Sequence, residues 1–109
     1  MQIQILPPGV SVKMNEIFSE ASEASVFYCR KQLDNSTSFE CSVIMMPQRE
    51  FHCCTYNFTI AMTTGDSSTR ESIEDVTTDI SEAERIFNTL CQHNVYPCHL
   101  FDVVSDLIA

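Results

Sequence analysis

A chain of 109 residues, 44% of them hydrophobic, suffices for one small core covered by a layer of helix and is too short for a second domain. Six Lys and Arg against fifteen Asp and Glu leave a formal net charge of −9, which argues against nucleic acid as a partner and against anionic membrane surfaces. The longest apolar runs, such as Val43 to Met46, are far too short to cross a bilayer.

The opening stretch MQIQILPPGVSV carries neither the positively charged lead nor the long apolar segment of an export signal, so the expected location is the cytoplasm. In that reducing compartment the six cysteines are read as free thiols and not as a disulfide framework. Asn35-Ser36-Thr37 and Asn57-Phe58-Thr59 fit the glycosylation pattern but are there more simply a turn and a strand segment. Met14, Ile17, Phe18 and Ala21 recur at helical spacing, while Ser19, Ser22 and Ser25 weaken the propensity. Residues 1–24 are therefore expected as a marginal helix or a partly disordered segment, within a single domain over 1–109.

From Val26 to Leu33 the run VFYCRKQL is rich in β-formers, Asp34 to Ser38 supplies a polar turn, and FECSVIMM begins at Phe39, so a hairpin is expected. Pro47-Gln48-Arg49-Glu50 should break the second strand. In HCCTYNFTIAM, His52, Cys54, Tyr56, Phe58, Ile60 and Met62 alternate with Cys53, Thr55, Asn57, Thr59 and Ala61. One apolar face and one smaller, wetter face is the pattern of an antiparallel sheet. Gly65-Asp66-Ser67-Ser68 makes the next turn, and RESIEDVT from Arg70 offers a fourth strand, in which the offset of Ile73 from Val76 leaves the register open.

Ser81-Glu82-Ala83-Glu84 matches a capping box, so a helix should start at Ser81. Ala83, Ile86, Phe87, Leu90 and Cys91 form one apolar stripe to be laid on the sheet, and Asn94, tolerant of the left-handed conformation, is the expected stop. Pro97 can open a second helix, along which Leu100, Val103, Val104, Leu107 and Ile108 repeat the spacing and Asp102 and Asp106 take the opposite face. The fold class is α+β: an antiparallel sheet of three to four strands followed by two C-terminal helices packed on one face. Residues 61–109 hold nine acids and two bases, so the acidic surface belongs mainly to the last strand and the helices.

From Tyr56 onward the chain resembles a family of short proteins of clostridial-type Firmicutes classed as a domain of unknown function. The shared elements are a Tyr-led strand, here YNFTI, an acidic strand and turn, here ESIEDVTTD, and a closing P-x-HL-x-DV-x-x-D-x-hydrophobic helix, here running from Pro97 through His99, Leu100, Asp102 and Asp106 to Leu107. The family usually follows the Tyr with Gly, where this chain has Asn57. Over residues 56–109 the resemblance implies a sheet covered by C-terminal helices and a bacterial cytoplasmic setting. It implies no activity.

Four constellations have chemical potential. Cys91-x-His93, Cys98-His99 and His52-Cys53-Cys54 offer metal ligands, but no CxxC knuckle is present and Cys91 and His93 point different ways on a helix. Cys53 or Cys98 beside a histidine would suit a thiol nucleophile, and His99 equally suits a hydrogen bond to the Asn94–Pro97 connection. With two glycines, Gly9 and Gly65, neither a phosphate cradle nor a dinucleotide turn can be assembled. The acids Glu74, Asp75, Asp79, Glu82 and Glu84 lack the glycine-centred loop of a calcium site and are read as helix-dipole partners, a solvated face, or a surface for a basic partner. Finally, Phe39, Val43, Met45, Phe51 and Phe58 provide apolar area that two short helices would leave uncovered, to be closed by a homo-oligomer or by the amino-terminal segment folding back.

These absences point to a non-enzymatic protein-interaction domain, with no cofactor, no metal and no catalytic residue assigned. The alternative is a metal- or thiol-dependent protein using Cys91, His93, Cys98 and His99 near the ends of the two helices.

Overall fold

The computed structural model describes residues 2–6, 25–48 and 53–108. Among them are five strands, β1 (Gln2–Leu6), β2 (Ser25–Gln32), β3 (Thr37–Gln48), β4 (Cys53–Thr64) and β5 (Ser67–Ile73), then helix α1 (Ile80–Gln92), a 3-10 turn (Pro97–His99) and helix α2 (Leu100–Ile108). The strands lie in chain order in one sheet, β2 to β5 as an antiparallel meander with both helices after it, as the alternation and stripe predict. β1 adds a fifth strand, parallel to β2, that the sequence reading does not anticipate. The helical spacing from Met14 to Ala21 and His52 and Phe51 lie outside the described residues.

The β2–β3 turn forms because the Asp34 carboxylate accepts from the backbone N–H groups of Ser36 and Thr37, each at 2.8 Å. These donors, Ser36 first, hold the Asp34 carboxyl below its usual range. The resulting register aligns Phe27 with Val43 and Phe58, and Cys29 with Cys41 and Ile60. All six side chains are buried on one face, and the stripe Ala83, Ile86, Phe87, Leu90 and Cys91 is buried with them in the same core. Each buried Val, Leu, Ile or Phe among them contributes about 1.5–3 kcal/mol. Phe39, Val43, Met45 and Phe58, expected to be left uncovered, are each no more than 1% exposed, which corrects that expectation. They sit on the face to which α1 brings its stripe.

Three local departures have physical reasons. β3 continues through Pro47 to Gln48: β2 begins opposite Met45, so among the described residues the last residues of β3 have a partner on one side only, where a missing N–H costs little. The cap of α1 is Asp79, two residues before Ser81: its carboxylate accepts from Ser81 N–H at 2.8 Å and Glu82 N–H at 3.2 Å, and a carboxylate at that end is also favoured by the dipole. β5 starts at Ser67 and ends at Ile73, with no strand over Glu74 to Thr77. The expected stop is found at Asn94, which has φ +48.

On the second face Val26, 2% exposed, pairs with Ile44, and polar contacts lie beside them. Arg30 meets Glu40 at 2.8 Å and lies over the Tyr28 ring at 4.9 Å, and the Thr59 and Ser72 hydroxyls are 2.9 Å apart.

Candidate functional site

β5 is an edge strand with a neighbour, β4, on one side. Ser67 to Ser72 are exposed and Ile73 is half-buried. It leaves β4 through a two-residue hairpin in which Gly65, φ +58, takes the first central position that only glycine adopts without strain. Residues flanking such a turn exchange both backbone hydrogen bonds, so the bonded pairs are Thr64–Ser67, Met62–Thr69, Ile60–Glu71 and Phe58–Ile73. The backbone N–H and C=O groups of Ser68, Arg70 and Ser72 consequently face the free edge.

β5 ends by a built device. Asp75 has φ +52, and its N–H donates to the Asn57 side-chain carbonyl at 2.8 Å. Beyond it, Val76 N–H donates to Tyr56 O at 3.0 Å while Tyr56 N–H donates to Thr77 O at 3.2 Å, so the pairing resumes one step out of phase. That slip lets Ile73 and Val76, which differ in parity, both pack against the core. Asn57, where the resembling family has Gly, thus contributes its side chain and no unusual backbone angle.

Beside this edge runs the start of the second helical segment. The 3-10 turn and the first turn of α2 leave a cleft of about 410 Å³ against β5, walled by Ile73, Pro97, Leu100 and Phe101, with Glu71 at its rim. Leu100 is 2% exposed, whereas Phe101 is 68% and Tyr96 56% exposed. The spacing places Ile108 on the buried stripe, but it is 45% exposed, while α2 buries Leu100 and Val104 and packs Val103 and Leu107 partly against the core.

The cysteine and histidine candidates do not converge. Cys91 is buried at the end of α1, whereas His93, Cys98 and His99 are exposed. The His99 contact to the connection is made by its backbone N–H, to Tyr96 O at 2.9 Å. No group of three or more His, Cys, Asp or Glu among the described residues is placed to hold a metal ion. What Cys91 meets instead is a pair the sequence reading missed, Cys29 and Cys41, directly opposite each other on β2 and β3. Burial, then the neighbouring Cys91, pushes the Cys29 thiol up to about 12, and a hydrogen bond with Cys41 together with burial raises Cys91 far above the ordinary thiol range. Buried thiols packed this way behave as small apolar groups. The signal for them was parity, since Cys29 is in phase with Phe27 and Cys41 with Phe39 and Val43.

Lys31 closes this corner, donating to the Cys91 carbonyl and, at 2.8 Å, to the Asn94 side-chain oxygen, so a cation meets the negative end of α1. A hollow of about 380 Å³ near Arg30, Lys31, Phe39 and Glu40 thereby has both cations engaged. Of the acids, Asp79 caps α1 and Glu82 lies in its first turn, while Asp66, Glu71, Glu74 and Asp75 are exposed and make no ion pair among the described residues.

An antiparallel meander sheet with two C-terminal helices laid on one face and an open last strand defines an α+β domain. The chain belongs to the family of unknown function DUF6514, whose model matches residues 24–109, from the residue before β2 to the end of α2 and beyond it. No curated protein and no solved structure matches the chain significantly. No helix among the described residues is long and apolar enough to cross a membrane.

Proposed function

We propose that this chain is a non-enzymatic protein-interaction domain acting in a bacterial cytoplasm. The observation that carries the reading is the open edge of β5 lying beside a cleft walled by apolar side chains, with Phe101 68% exposed at its mouth. A large exposed aromatic beside unpaired backbone groups is the kind of surface on which binding energy concentrates. The buried thiols, by contrast, have raised pKa values that suit packing and not nucleophilic chemistry. The clostridial-type Firmicutes setting and the cytoplasmic location rest on the resemblance over residues 56–109.

Native mass spectrometry of untagged protein purified under reducing conditions tests this. The expected species is the bare 12.4 kDa chain or a whole-number multiple of it. A metal ion or metabolite retained at one per chain overturns the reading and directs attention to bound-ligand chemistry.

A further inference from the structure

We propose that β5 is a docking strand for an extended, Lys- or Arg-rich segment of a partner protein, which adds antiparallel to its free edge and seats one apolar side chain in the Phe101 cleft. This rests on the interaction-domain reading and names the partner's chemistry. Backbone pairing requires free N–H and C=O groups on an accessible strand, and those of Ser68, Arg70 and Ser72 meet the requirement on a strand whose first six residues are exposed. A peptide strand laid there has alternate side chains directed toward the helix side of the sheet, where the cleft between Ile73, Pro97, Leu100 and Phe101 opens.

Charge decides between occupants. Asp66, Glu71, Glu74 and Asp75 follow the path of the edge against the single base Arg70, and across residues 61–109 the other base, Arg85, is already held on the Leu107 carbonyl at 2.7 Å. A basic segment therefore meets carboxylates at both ends of the strand and at Glu71 within it, none of them in an ion pair among the described residues. A second copy of this chain fits less well. Antiparallel self-pairing centred on Arg70, the middle residue of Ser67–Ile73, sets two guanidinium groups directly opposite each other, and every register brings together two chains of net charge −9.

The test uses the full chain, isotope-labelled for amide NMR, and three decapeptide probes. One alternates Lys and Val with a central Phe, the second replaces each Lys by Glu, and the third keeps the Lys residues but replaces alternate Val by Pro, removing backbone donors at equal charge. The basic probe is expected to bind, with slowed hydrogen exchange at the Ser68, Arg70 and Ser72 amides, and the Glu and Pro probes to bind at least tenfold more weakly. Ser72→Pro removes a free-edge N–H without touching the β4 ladder, and it should weaken the basic probe at least tenfold. Phe101→Ser, an exposed position, should do the same and serves if the proline variant does not fold. Equal affinity for the basic and Pro probes, or for the native chain and the Phe101→Ser variant, overturns the docking strand. Failure of all three probes accompanied by concentration-dependent dimerisation at β5 also overturns it while leaving the interaction-domain reading standing, whereas a retained metal or metabolite removes both.

Discussion

β3 and β5 belong to the same meander, yet one carries much of the core and the other is exposed over most of its length. β3 has a strand on either side and carries Phe39, Cys41, Val43 and Met45 at 0–1% exposure, whereas β5 has a strand on one side and one half-buried apolar residue, Ile73. Position and sequence act together: β3 supplies alternating apolar residues under the stripe of α1, whereas β5, read SSTRESI, has Ile73 alone to offer the core. Stability is thus concentrated at the centre, and the edge is left to solvent and partners.

The sharpest way to break that contrast is to truncate one residue in each strand. Phe39→Ala should lower the unfolding free energy by about 3–5 kcal/mol in urea titration, a large part of a small domain's stability. Next in size is Lys31→Met, which strips the carbonyl of Cys91 and the side chain of Asn94 of a charged donor and should cost about 1.5–3 kcal/mol. Alkaline titration probes the same buried corner. Folded Cys29 keeps its proton up to about 12 while the unfolded chain releases it near 9.0, so stability should hold steady through neutral pH and fall as pH rises above 9. Cys29→Ala should flatten that fall, and a curve that instead rises above pH 9 would refute the buried neutral thiol. Smallest is Ser67→Ala on β5, an exposed position, expected within about 0.5 kcal/mol of the native chain; a larger loss would mean that the edge strand is structural after all.

Much of the fold was legible because it is periodic and local. The five-residue stripe of α1 and the alternation from Tyr56 to Met62 each satisfy one repeat, and Asn94 and Pro97 punctuate them. What escaped the sequence depends on geometry that no local repeat encodes. β1 is five residues whose partner lies across a long connection, and parallel pairing leaves no hairpin signal. Asp79 outcompetes Ser81 as the cap because Thr77 Oγ1 accepts from the Asp79 N–H at 3.0 Å and fixes the entry to the helix one turn earlier. The end of β5 was hidden because Asp75 turns left-handed on a side chain, Asn57, eighteen residues away. The candidate site was the least legible: an edge exists only once strand order is known, and the spacing that rightly puts Leu100 and Val104 on the buried stripe leaves Phe101 off it without marking it as a wall of a cleft.

The strand order in space repeats the strand order along the chain. Each strand of the meander therefore meets its neighbour as soon as both have left the ribosome, with short loops to close and little entropy to lose in closing them. No interior strand has to wait, half-paired and prone to aggregate, for a partner made much later. The outer side of β5 is the exception: it pairs with no other strand among the described residues.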